Sequence, residues 1–223
     1  MSKIAIVAGS TGLVGAQLLK KLLADPNYAK VITVVRKATG NTHPILQEEI
    51  VDFDKIENYA HLFKGDVFFS CLGSTKAKTP DKKQYYKIDH DYPLAMANLA
   101  LTNGVGQCHV ISAIGAKAGA ANFYLNMKGE IEQQLASLGF DSVHIYRPSL
   151  LTGQRKEQRI LEKIAIGLFK MIDPLLIGKA RKYRSIDVAD VAKAMLNQSL
   201  KNFAGVHYYE SNDIQSIADS LQR

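Results

Sequence analysis

A doubly wound α/β fold built on a parallel sheet is what this sequence predicts, and three observations predict it. Short apolar runs rich in β-branched residues alternate with longer stretches of helical period. Several of those runs are apolar throughout, as expected for strands covered on both faces. A glycine-rich turn joins the first run directly to the first helical stretch.

The strands read as Ile4–Ala8, Val31–Val35, Glu49–Phe53, Val67–Cys71, His109–Ser112 and Val143–Tyr146. Helices are expected at Leu13–Leu23, Asp89–Asn103 and Phe123–Leu138, with Pro93 kinking the second or marking its start. Right-handed crossovers then place the helices on both faces of the sheet. Beyond Arg147 the pattern loosens. Ile160, Leu161, Ile164, Ala165, Leu168, Phe169 and Ile172 form an apolar stripe on a helix ending before Pro174. A helix from Asp187 to Leu200, a strand Val206–Tyr209 and a last helix to Gln222 complete the chain. With no linker or repeat, residues 1–223 are expected to form a single domain. The small C-terminal extension would pack over the carboxyl edge of the sheet, where such folds bind ligands.

The chain of 223 residues is 47% hydrophobic and 22% charged, the balance of an ordinary globular protein. No run reaches the roughly 18 uncharged apolar residues of a membrane span. The N-terminus enters the first strand without a secretory h-region, which sets a cytoplasmic protein as the expectation. Cys71 and Cys108 lie far apart in apolar runs, so reduced core thiols are expected, with no disulfide framework and no metal site. The net charge of +7 is spread along the chain without the aromatic interleaving of a nucleic-acid surface. The reading is therefore no nucleic acid and no membrane, with a few cations serving a phosphorylated small ligand. His109 and His144, both in strands, read as packed residues.

Gly9, Ser10, Thr11, Gly12, Leu13, Val14 and Gly15 form the turn between the first strand and helix. One glycine serves the tight turn, one the approach of backbone to a pyrophosphate, and one the contact of helix with strand. The helix N-terminus then offers N–H groups and a positive dipole end to phosphate. The turn predicts a bound dinucleotide. At the end of the second strand, Arg36 and Lys37 stand where proteins selective for NAD place an acid, and guanidinium suits a 2′-phosphate. NADPH is the expected cofactor. Asp52 and Phe53 follow the third strand, near the adenine, although Asp54 could simply cap a helix starting near Ile56. Cys71, Leu72 and Gly73 follow the fourth strand and are expected along the sugar and nicotinamide; Cys71 as a nucleophile is the lesser reading, since no partner base is apparent.

Ser112 ends the fifth strand, and Tyr124 and Lys128 follow at i, i+4 on one face of the next helix. A phenol beside an ammonium can supply the proton that a carbonyl oxygen gains when hydride adds to its carbon. Ser112 would hydrogen-bond that oxygen, and Lys128 would also hold the nicotinamide ribose.

These stretches resemble the short-chain dehydrogenase/reductase superfamily, and more closely its atypical branch of Tat-interactive oxidoreductases and bacterial relatives. The resemblance is carried by Gly9–Gly15, Asp52, Cys71 to Ser74, Ser112 to Ala116 and Asn122 to Glu130, with weaker matches at Tyr146 to Ser149 and Ile186 to Ala192. It implies an NAD(P)-binding Rossmann fold, with the glycines, Arg36, Ser112, Tyr124 and Lys128 binding NADPH and carrying redox chemistry. The segment around Arg147 and Pro148 is similar to the family's Arg-Pro-Gly and is implied to border the cofactor. Two departures stand out. Cys71-Leu72-Gly73 replaces the usual Asn-Ala-Gly, and Asp89 stands where extended members often have asparagine.

Three functions are weighed. The first is an NADPH-dependent reductase acting on a small-molecule carbonyl substrate. The second is an NADPH-binding sensor or interaction protein with little turnover. The third is a sugar-nucleotide epimerase or dehydratase, for which the roughly 75 residues after Arg147 are few. The 160–172 stripe reads first as core or pocket lid, then as a homodimer face, and last as a membrane-surface helix.

Overall fold

Seven parallel strands form one sheet in the computed structural model, which describes residues 2–153, 173 and 176–220. The strands are β1 (Lys3–Ala8), β2 (Tyr28–Val35), β3 (Leu46–Ile50), β4 (Val67–Ser70), β5 (Gln107–Ile111), β6 (Ser142–Arg147) and, later in the chain, Gly205–Glu210. A two-residue pair, β7 (Leu151–Thr152) with β8 (Ile186–Asp187), stands apart, so the seventh strand of the main sheet is β9. The spatial order is β3-β2-β1-β4-β5-β6-β9. The chain winds outward from β1 to β3, returns to the other side of β1 at β4, and winds outward again. Between β1 and β4 the direction of winding reverses, and a crevice must open at their carboxyl ends.

Helices cover both faces because both sides of the central strands are apolar. Ile6, Phe68, Cys108, Val143 and Ile145 face the layer containing α3 (Tyr92–Thr102) and α4 (Phe123–Ser137). Ala5, Val7, Val67, Phe69 and Tyr146 face the layer of α1 (Leu13–Ala24), α5 (Val188–Ser199) and α6 (Ser211–Asp219). Each fully buried Ile, Leu or Phe contributes about 1.5–3 kcal/mol relative to exposure. The central strands are thus the strongest part of the molecule.

Among the described residues the expected elements are present, with three differences that have local causes. β3 covers Leu46–Ile50 rather than Glu49–Phe53, because it pairs in register with Val31–Val35 and then ends at a cap. That cap is Asp52, whose carboxylate accepts the Asp54 N–H and starts a 3-10 segment, Phe53–Leu62. The expectation that Asp54 caps this segment is corrected accordingly. The helix expected to begin at Asp89 instead begins with α2 (Lys82–Tyr86), capped by Asp81, and continues through a π turn, Lys87–Asp91, into α3. Pro93 lies in the first turn of α3, just after the π turn. The stripe at 160–172 and Gln222 lie outside the described residues. Among those described, no helix is long and apolar enough to cross a membrane.

Candidate functional site

The crevice at the β1–β4 reversal is lined by Gly9, Ser10, Thr11, Gly12, Val34, Val35, Arg36, Phe53, Cys71, Leu72, Gly73, Ile88 and Tyr92. Its floor is the turn after β1. Gly9 has φ +83°, and a β-carbon there would lie 2.6 Å from the Cys71 carbonyl group. A β-carbon on Gly15 would lie 2.1 Å from the Gly9 carbonyl oxygen. Only glycine at both positions lets α1 and the end of β4 close on the turn. The Gly12 N–H closes that turn on the Gly9 carbonyl at 3.0 Å.

α1 opens without a side-chain cap and without an acid in its first turn. Its leading N–H groups therefore point a positive dipole end at the crevice. The Ser10 hydroxyl is buried there and has no hydrogen-bond partner among the described residues. Arg36 is exposed at the opposite rim, at the end of β2. An anionic dinucleotide fits this arrangement: amides and a hydroxyl at the turn for pyrophosphate, a guanidinium at the rim for a ribose phosphate.

Phe53 and Tyr92 make the wall beside Arg36, their rings edge to face with centroids 5.4 Å apart. The Tyr92 hydroxyl donates to the Asp54 carboxylate, which also pairs with Lys87 at 2.6 Å. Hydrogen bonds from Lys87 and Tyr92 hold Asp54 below the usual carboxylate range. Burial pushes the Cys71 thiol up to about 12, so it faces the crevice protonated, and the nucleophile reading has no support.

Behind Gly73 lies the buried Asp89, whose Oδ1 is 3.4 Å from where a Gly73 β-carbon would be. Asp89 pairs with Lys128 at 3.0 Å, and both side chains are buried. The Lys128 ammonium also approaches the Ile111 carbonyl at 3.5 Å. Burial alone would push Lys128 down, but Asp89, then Tyr124 and Glu132, raise it above the ordinary lysine value. The Ser112 hydroxyl, one residue beyond Ile111, is buried without a partner among the described residues. The Tyr124 ring stacks on Tyr85 at 6.1 Å. Lys128 thus lies at the carboxyl end of β5 next to Ser112, one helical turn after Tyr124 on α4, and Asp89 ties it to the loop of Ser74.

Not every expected residue reaches the crevice. Leu13 and Val14 open α1 but pack into the core below it, and Gly15 serves packing. Lys37 is exposed outside the lining. Asp52 caps the 3-10 segment. The Arg147 guanidinium is engaged by the buried Glu132, with Nε 2.9 Å from its carboxylate, and stacks on the Tyr208 ring at 4.5 Å. Pro148 contributes its carbonyl, which accepts the Ile114 N–H at 3.0 Å. Conversely, Val34, Val35, Ile88 and Tyr92 line the crevice without being expected there. The proline four residues after Asp89 was the available signal that this helix is shaped around its carboxylate.

Fold and crevice place the chain in the Rossmann class, whose members bind nicotinamide dinucleotides at this reversal point. The chain belongs to the NAD dependent epimerase/dehydratase family, whose profile matches residues 5–208. It is 32% identical to Protein HTATIP2 of Rattus norvegicus over 92% of this chain and 84% of that one. It is also 32% identical to Protein fmp52-1, mitochondrial, of Aspergillus terreus, over 92% of this chain and 90% of the relative. The crystal structure of the Bordetella bronchiseptica enzyme WbmH in complex with NAD+ superposes with a TM-score of 0.71 at 18% identity, covering 98% of this chain and 80% of that one. The resemblance to the Tat-interactive branch is thereby established. The expectation of a cytoplasmic protein is corrected: the fungal relatives are named mitochondrial.

Proposed function

We propose that the chain binds NADPH in the crevice and reduces a small carbonyl compound, with Tyr124 as the proton donor. The observation that carries the reading is Lys128, one helical turn after Tyr124 on α4, held between Asp89 and the Ile111 carbonyl next to Ser112, with Asp89 lying against Gly73 of the crevice wall. When bound, a reduced nicotinamide supplies hydride to the carbonyl carbon. Ser112 would donate its unpartnered hydroxyl to the carbonyl oxygen, where negative charge develops. The Tyr124 hydroxyl would then give its proton to that oxygen, and Lys128 would hold the ribose. Arg36, with no acid beside it in the lining, supports the phosphorylated cofactor over NAD.

A second reading is favoured by one observation. Asp89 already occupies the Lys128 ammonium and cancels much of its field at Tyr124, which suits a dinucleotide-binding protein with little turnover. Calorimetry with NADPH, combined with NADPH consumption against a broad aldehyde and ketone panel, separates the two. The reductase reading expects turnover in the parent that disappears in Tyr124→Phe while NADPH affinity stays within about threefold. Binding without consumption in the parent supports the second reading. Heat for neither NADPH nor NADH removes both.

A further inference from the structure

The helix after β4 is broken where it meets α4, and the break has a cause. Pro93 has no N–H, so the carbonyl of Asp89 loses the donor that an unbroken α-helix would bring from four residues on. The chain makes one π turn here, in which the Tyr92 N–H reaches back to the Lys87 carbonyl. A π turn inserts an extra residue and reorients the side chains around it. Asp89 thereby lies against α4, with Oδ1 3.0 Å from Lys128 Nζ and Oδ2 accepting the Ser74 N–H at 2.7 Å. Asp89 is 2% exposed and Lys128 4%.

We propose that Asp89 is the positioning residue of this site, the counter-ion that keeps the buried Lys128 ammonium charged and ties it to the loop after β4. The inference rests on the reading of Lys128 as the ribose ligand beside Tyr124. A solitary ammonium in so dry a place would shed its proton near neutral pH. The groups facing it are few. Tyr124 and Glu132 approach from its own helix, the Ile111 carbonyl from β5, and Asp89 from the π turn, with Tyr85 behind the Tyr124 ring. Glu132 is itself claimed by Arg147 from β6. Among the described residues Asp89 is the carboxylate in direct contact, and it joins Lys128 to Ser74, next to Gly73 of the crevice wall. An amide at this position would keep the Ser74 hydrogen bond and lose the charge.

Two measurements test this. First, the NADPH dissociation constant of the parent and Asp89→Asn is followed by calorimetry from pH 7 to 9.5. The ratio of variant to parent is expected to grow about tenfold or more across that range, as Lys128 deprotonates in the variant only. The alkaline limb of kcat/KM, where turnover is present, moves to lower pH by about one unit. A ratio that is the same at every pH means a structural role alone and overturns the proposal. Second, thermal midpoints are compared for Lys128→Met, Asp89→Asn and the double variant, which also decides the matter if one single variant folds poorly. Lys128→Met is expected to lower the midpoint by about 6 °C or more by stranding a buried carboxylate, and adding Asp89→Asn recovers at least half of that loss. Additive losses overturn the pairing. A parent that binds neither NADPH nor NADH sinks the functional reading, and the positioning role with it. Additive midpoints in a parent that does bind sink the pairing alone.

Discussion

His109 and His144 lie ring against ring in register on β5 and β6, their centroids 4.3 Å apart and both side chains buried. The stack extends to Phe69 on one side and His207 on the other. Each of the two buried rings meets a tyrosine through Nδ1: His109 with Tyr146 at 3.1 Å, His144 with Tyr209 at 2.9 Å. Neither Nε2 has a partner among the described residues. A cation on either ring would be poorly solvated and would repel a charge on the other.

The consequence is an acid limit on stability. Burial, then the neighbouring His144 and Lys3, lowers His109 well below the ordinary histidine value; burial, then His207, lowers His144 to about 4. The unfolded chain therefore takes up protons that the folded one refuses, and stability falls as pH drops from about 6.5 toward 4. Above about 6.5 both states hold neutral rings and the effect vanishes. For His144 the loss is on the order of 3 kcal/mol. Thermal melts across this window should show a steep fall in the parent and a shallower one in His144→Gln. Equal slopes would remove the stack as the cause.

Gly9→Ala should disable the crevice. The new β-carbon would meet the Cys71 carbonyl group at 2.6 Å, and φ +83° disfavours any side chain. A loss of about 1–3 kcal/mol from the backbone alone is expected, with more from the clash. Calorimetry should find NADPH binding abolished even below the lowered melting point, because α1 can no longer seat against the turn.

Arg36→Ala should change selectivity more than fold. The side chain is exposed at the crevice rim, so the melting point should move little. A charge-assisted hydrogen bond contributes about 1.5–3 kcal/mol, so NADPH affinity should fall about 10- to 100-fold while NADH affinity stays nearly constant. Parallel titrations with the two cofactors check this, and a parent that binds them equally would sink the assignment.

Glu132→Ala should act through stability. Glu132 is 2% exposed and anchors the Arg147 guanidinium that continues β6. Removing one member of a buried pair costs about 3–5 kcal/mol, a midpoint shift of roughly 6 °C or more. The NADPH affinity of the folded variant should stay within a few-fold, since Arg147 is held away from the crevice lining. A large affinity loss without a melting shift would return Arg147 to the cofactor site.

Much of this was legible before folding, for a local reason. Gly9, Gly12 and Gly15 announce a strand-turn-helix unit because steric demands act over seven consecutive residues. The uninterrupted apolar runs of β1 and β4 announce a parallel sheet, since burial on both faces leaves no polar alternation. Arg36 was legible because the end of β2 has a defined place in such a fold. The end of β3 was not: the run Val51 to Phe53 is as strand-like as what precedes it, and only the Asp52 cap removes it.

By itself, then, the sequence determined the α/β class, the phosphate-type turn and the charge at its rim, all properties of short windows or of chain order. The tertiary structure decided which charges meet. Lys128 with Asp89, Arg147 with Glu132 and Lys87 with Asp54 are partners from different elements. Ion pairing depends on distance and burial in space, and neither is written in periodicity. For that reason Arg147, placed at the cofactor by order along the chain, is engaged by Glu132 and Tyr208, whereas Asp89, a departure in one dimension, becomes the partner of Lys128 in three.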